Sequence, residues 1–173
     1  DEFQTVDLIV HSSAETRGVD AFALSLIKAE RQIRKLVTYI IFQFPCFTGA
    51  DIRRLRETLG ENRKVYFKDL EQGFDAIYTR SIQELVGDQY NRLRARINEA
   101  IDCRNKIFHG RLTQHYLSRD ELLSMVTDIR SWCEAVARSA EAEVGYDGFA
   151  RDSFQKSKAG DLSVRFKVQL KSI

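Results

Sequence analysis

A mainly α-helical fold is what three features of the sequence predict: a bundle of four to five helices over about residues 19 to 143, with a small C-terminal β appendage at 144 to 173. Long stretches space their apolar residues three and four apart, which is the helical period. One proline and nine glycines in 173 residues leave few chain breakers, and 30% charged residues supply solvated helix faces. Near the C-terminus the period falls to two, which is that of a half-buried strand. At 43% hydrophobic the chain is long enough to enclose a proper core, so residues 1 to 173 are read as one domain.

Residues 2 to 10, Glu-Phe-Gln-Thr-Val-Asp-Leu-Ile-Val, read either as a strand or as an ordered arm, and 11 to 18 as a polar loop. From 19 to 44 a helix is predicted by Phe22, Leu26, Ile33, Val37, Ile40, Ile41 and Phe44, and Pro45 stops it. Thr48-Gly49-Ala50-Asp51 reads as a cap before a short helix, 51 to 59, that Gly60 ends. Its Arg53, Arg54 and Arg56 form a basic, solvated face. After a connector at 61 to 65, the residues Phe67, Leu70, Phe74, Ile77, Tyr78, Ile82 and Leu85 keep helical spacing as far as Gly87. Gly73 weakens that helix, and a break is expected at Gly87-Asp88.

A further helix is read from about residue 88, with Tyr90, Leu93, Ile97, Ala100, Ile101 and Phe108 along one face, ending at Gly110. Residues 111 to 117 read as a loop. Ser118-Arg119-Asp120-Glu121 is a capping box that opens the most regular helix of the chain. Its stripe is Leu122, Val126, Ile129, Cys133, Val136 and Ala140, with Trp132 alongside. A turn-rich run, Gly145-Tyr146-Asp147-Gly148-Phe149, follows, and Tyr116, Tyr146 and Phe149 read as packing residues. From 162 to 170, Leu162, Val164, Phe166, Val168 and Leu170 alternate with polar residues as in a strand. A lone strand needs a partner, which residues 2 to 10 or a second subunit would provide.

The stretch Arg104-Asn105-Lys106-Ile107-Phe108-His109-Gly110 breaks the folding rules of the helix that carries it. Arg104 projects about 20° from Leu93 and roughly 40° from Phe108, inside the apolar stripe. A guanidinium there needs a partner, a cleft or a second chain. Asn105 and His109 are four apart, so the amide is placed to orient the imidazole, and the negative end of the helix dipole favours imidazolium at the last turn. Asp102 and Lys106 are spaced for an ion pair on the same helix. Arg104 and His109 themselves lie about 140° apart on an ideal helix. From Arg92 to Arg111 six basic residues face only Glu99 and Asp102, a local balance of 6 − 2 = +4 that suits phosphate, although the whole chain carries only +2.

This heptapeptide resembles the Arg-x4-6-His signature of the HEPN superfamily in its Arg-Asn-x-x-x-His form, read here as Arg104, Asn105 and His109. The likeness extends in architecture over roughly residues 20 to 143, where a helix ends at the His and another long helix follows. The resemblance implies a homodimeric, metal-independent endoribonuclease that needs no cofactor and leaves 2′,3′-cyclic phosphate ends. With the local positive charge, Lys106 and Arg111 are the candidate RNA contacts, and under the resemblance Arg104, Asn105 and His109 would be catalytic. It also implies toxin–antitoxin or antiviral defence as the setting, with an antitoxin or regulatory protein as a partner. The alternative is an inactive HEPN-like module that binds RNA, a nucleotide or a protein. A third reading, from another class, is a helical dimerisation domain with Arg104 in an intersubunit salt bridge.

Other chemistries have little to stand on. His11, His109 and His115 lack metal-ligand spacing and no cysteine pair supplements them. Neither a glycine-rich phosphate loop nor a serine nucleophile elbow is present. Cys46, Cys103 and Cys133 are odd in number and unpaired in spacing, as reduced thiols of a cytoplasmic protein are. The N-terminal residues do not read as a secretory signal. No apolar run reaches the roughly 18 residues of a membrane span.

Overall fold

The computed structural model describes residues 2 to 60, 65 to 109, 117 to 151, 153 to 158 and 160 to 168. The chain is mainly helical: α1 Gln4–Val10, α2 Arg17–Phe42, α3 Ile52–Gly60, α4 Phe67–Ile77, α5 Ile82–Val86, α6 Tyr90–Phe108 and α7 Arg119–Val144. No strand occurs among the described residues. No helix among them is long and apolar enough to cross a membrane. Two compact units are formed, one from residues 1–29 with 88–134, the other from 30–87 with 135–173. The long helices α2 and α7 each begin in the first and end in the second.

In the first unit residues 4 to 10 form a helix rather than a strand. Helical spacing lets Phe3 and Val6 share one face, and both are buried. Phe3 lies under the Arg130 guanidinium, 5.0 Å from the ring centre, and under Lys28 at 6.0 Å. Arg130 also pairs with Asp7. These cation–ring and ion-pair contacts give a seven-residue helix, too short to be stable alone, its tertiary support. Phe22 and Leu26 of α2, Leu93 and Ile97 of α6, and Ile129 and Trp132 of α7 are buried in this unit. Tyr90 meets Trp132 with ring centres 5.8 Å apart.

In the second unit the helical spacing from Phe67 to Leu85 is interrupted. Tyr78 is extended (φ −100°, ψ 147°), and Ser81 caps a new helix by accepting from the Glu84 backbone N–H at 3.2 Å. The Asp75 carboxylate accepts from the Ile82 N–H at 2.7 Å. These caps satisfy donors that a continuous helix would have used internally. The expected break at Gly87 is present, with φ +74° and a short 3₁₀ turn before α6.

The C-terminal strand expected at 162 to 170 does not form over the described residues. Leu162–Arg165 is a 3₁₀ turn capped by Asp161, whose side chain accepts from the Ser163 N–H at 2.8 Å. Only an isolated antiparallel bridge, Tyr78 with Phe166, has β character. It is closed by Thr79 N–H to Arg165 O at 3.0 Å and Lys167 N–H to Ile77 O at 2.8 Å. The partner segment is only the four residues 78 to 81 between two helices, so the alternating pattern has no long edge to pair with. Val164 is accordingly 80% exposed. Residues 169 and 170 lie outside the described residues.

The turn-rich run after α7 becomes a strap along the C-terminal half of α2. Gln32 donates to Asp147 O at 3.1 Å, Lys35 to Ala150 O at 2.8 Å, and Tyr39 Oη to Val144 O at 3.1 Å. The Gln43 amide donates to Gln155 O at 2.9 Å and accepts from Ser157 N–H at 2.7 Å. Tyr146 is buried and stacks on Tyr39 at 4.6 Å. Irregular backbone leaves its carbonyls without ladder partners, and these side chains supply the donors.

Candidate active site

Helix α6 carries the heptapeptide, and its length relative to the core decides what that segment does. Leu93, Ile97, Ala100 and Cys103 are buried, while every described residue beyond Cys103 is half-buried or exposed. The last turn therefore runs past the apolar interior. Arg104 is half-buried where a core position was expected, and Phe108, also assigned to the stripe, is 66% exposed. The stripe continues in sequence, but among the described residues the full burial does not. That removes the need to satisfy a buried guanidinium and leaves Arg104 on the overhang.

Arg104 and Asn105 come together. The Asn105 amide oxygen accepts from Arg104 Nε at 3.3 Å and from Nη2 at 3.1 Å. His109 follows as the C-cap residue (φ −93°, ψ 9°), its backbone N–H bonded to Asn105 O at 3.1 Å. Its side chain is exposed. No hydrogen bond among the described residues joins its ring to Asn105, so the expected amide–imidazole contact gives way to the amide–guanidinium one. Because α6 stays helical through Phe108, Arg104 and His109 keep their separation of about 140° around the axis. Lys106 is half-buried, and the ion pair with Asp102 is not made among the described residues. Arg111, His115 and Tyr116 lie outside the described residues.

The electrostatics of α6 divide along its length. Near its start, Arg92 and Arg96 share Asp128 of α7, at 2.9 and 2.8 Å, and Arg96 also meets Glu99 at 2.5 Å. Arg94 bonds the Asn98 side chain. Arg92 and Arg96 therefore brace α6 on α7, whereas Arg104 and Lys106 bring their charge to the part of the helix beyond that brace. Beside them the Cys103 thiol is pushed up by burial and by the charge of Glu99, against the pull of Lys106. It stays protonated near neutral pH and is no thiolate nucleophile.

No group of three His, Cys, Asp or Glu side chains that could hold a metal ion occurs among the described residues. The three cysteines are free thiols. Arg53 is exposed and pairs with Glu57 at 3.4 Å, as a solvated face does, while Arg56 lies 5.2 Å over the Phe154 ring. Sequence reasoning missed Phe108 as an exposed residue. The available signal was its place as the last helical residue, flanked within four positions by Arg104, Asn105, Lys106 and His109. Comparison with protein-family models, curated proteins and solved structures finds no match to this chain.

Proposed function

We propose that this chain is a HEPN-like domain acting as a metal-independent endoribonuclease, with two copies building one site around Arg104 and His109. The observation that carries the reading is the overhang of α6, the part of that helix beyond its buried stripe, which bears Arg104, Asn105 and His109 together. In one copy the guanidinium and the imidazole diverge by about 140°. A second copy brought against the first offers each Arg104 an imidazole from its partner, and two histidines divide the work of base and acid.

One His109 takes the proton from a ribose 2′-hydroxyl, and the 2′-oxygen attacks the adjacent phosphorus. Arg104 neutralises charge growing on the phosphorane oxygens, with its planar fork held by the Asn105 amide. The other His109 protonates the departing 5′-oxygen. The bond from phosphorus to that oxygen breaks, leaving a 2′,3′-cyclic phosphate and a 5′-hydroxyl. Lys106 and Arg111 contribute phosphate contacts, and no cofactor is needed. On this reading the protein works in the cytoplasm, in a toxin–antitoxin or antiviral defence system, under an antitoxin or regulatory partner.

One observation favours a second reading, an inactive HEPN-like module that binds RNA, a nucleotide or a protein partner. The Asn105 amide oxygen is turned to Arg104, so among the described residues nothing orients the His109 ring. Purified protein incubated with tRNA and single-stranded RNA in EDTA separates the two. Cleavage lost in both Arg104→Ala and His109→Ala proteins, each checked for folding by circular dichroism, supports the nuclease. RNA retained without cleavage supports the binding module. Equal cleavage by all three proteins sinks the assignment of these residues.

A further inference from the structure

Phe108 presents two thirds of its surface to solvent at the end of α6 (66% exposed). On ideal helical spacing, Phe108 lies about 40° from Arg104, Asn105 about 100° and His109 about 140°, all on one side. The ring therefore stands between the guanidinium and the imidazole on the surface of the helix. Side chains four apart have Cβ atoms about 5–6 Å from each other, so whatever covers the ring also meets Arg104. On the helix surface the ring is neighboured by Arg104, Asn105 and His109. A nucleotide asks for a flat π face beside positive charge, and the overhang has both.

We propose that Phe108 is a stacking platform for an unpaired RNA base, seating the nucleotide so that its phosphate reaches Arg104 and His109. The inference rests on the ribonuclease reading and deepens it by naming the substrate class. Bases in a duplex are stacked on their neighbours and keep their faces covered, so the platform selects single-stranded RNA. Every base has a π face, so the selection is tolerant of sequence. The ring takes no part in bond making. Its contribution is to hold the ribose and phosphate beside Arg104, where the imidazole of the second copy completes the site.

The test uses His109→Ala protein as a non-cleaving background, in EDTA, with fluorescein-labelled single-stranded RNA followed by anisotropy. Adding Phe108→Ala weakens binding about 5- to 150-fold, the range for losing one stacked base, while Phe108→Trp restores it. An oligonucleotide of abasic spacers binds equally well with Phe108 present or replaced by alanine, because it has no base to stack. A duplex of the same sequence is discriminated against only when Phe108 is present. If RNA is bound and cleaved equally well with Phe108→Ala, the platform is wrong and the nuclease reading stands. Should Phe108→Ala shift the sedimentation coefficient towards monomer without altering RNA affinity per protomer, the ring belongs to the contact between copies and the proposal is overturned. Absence of any RNA binding or cleavage by the unsubstituted protein removes both the platform and the reading beneath it.

Discussion

Replacing Gly148 by alanine tests the close approach of the C-terminal strap to α2. Gly148 has φ +83°, and a Cβ there would stand 2.7 Å from Gln32 Cγ, 2.9 Å from Leu36 Cγ and 3.0 Å from Gln32 O. Neither Cγ is the far end of a flexible chain, and the carbonyl belongs to the helix itself. The left-handed conformation costs a residue with a Cβ about 1–2 kcal/mol. Overpacking adds roughly 1–3 kcal/mol, and the stiffer unfolded chain returns about 0.4–1 kcal/mol. The net is a loss of about 1–4.5 kcal/mol, or roughly 2 to 18 °C in Tm for a chain of this size. Gly73 is the contrast, since it lies inside α4 and a Cβ there meets nothing within 4 Å. Gly73→Ala should therefore stabilise by about 0.5–1 kcal/mol. Urea unfolding followed by circular dichroism reads both. A Gly148→Ala protein as stable as the unsubstituted one would refute the packing of the strap, whatever Gly73→Ala does.

Glu143 is predicted to make the second unit sensitive to acid. Burial pushes its carboxyl up, but hydrogen bonds from Arg80 and Tyr78 and the charges of Arg80 and Arg165 more than reverse this, so the folded-state pKa lies below the ordinary glutamate value. A depressed carboxyl contributes stability that is fully present above about pH 4.3 and is lost as pH falls through the folded-state pKa. Glu143→Gln should cost about 1–2 kcal/mol at pH 7 and flatten the fall in urea midpoint between about pH 5 and 3; an unchanged slope rejects the linkage. Ser81→Ala removes the hydroxyl that caps α5 and should cost about 1 kcal/mol, read by the same unfolding curves. In the native protein an aromatic disulfide reagent should find Cys46, which is half-buried, while Cys103 and Cys133 react only in denaturant. Both of those thiols are buried and pushed up by burial, and rapid modification of either in native protein would contradict the packing.

The sequence by itself determined the elements whose information is local. Three long amphipathic helices, the stop at Pro45, the capping box at Ser118 and the break at Gly87 each depend on residues within a turn or two of one another, and each is present. The Arg-Asn-x-x-x-His spacing is also local, but the Asn105 amide turned to Arg104 and not to His109, which the spacing does not decide. What only the tertiary structure decided was where a pattern meets something to pack against. Residues 4 to 10 became helical with Phe3, just before them, covered by Arg130 and Lys28, a contact that residues 2 to 10 do not encode. The alternation from 162 onward met a four-residue link, 78 to 81, and closed a bridge at Tyr78 in place of a sheet. The stripe of α6 ran on through Arg104 to Phe108, yet among the described residues full burial stopped at Cys103. Periodicity records which face of a helix is apolar, whereas the distance over which that face is buried is set by the elements opposite it. That difference moves Arg104 from a supposed interior charge to an overhang, and exposes the ring beside it.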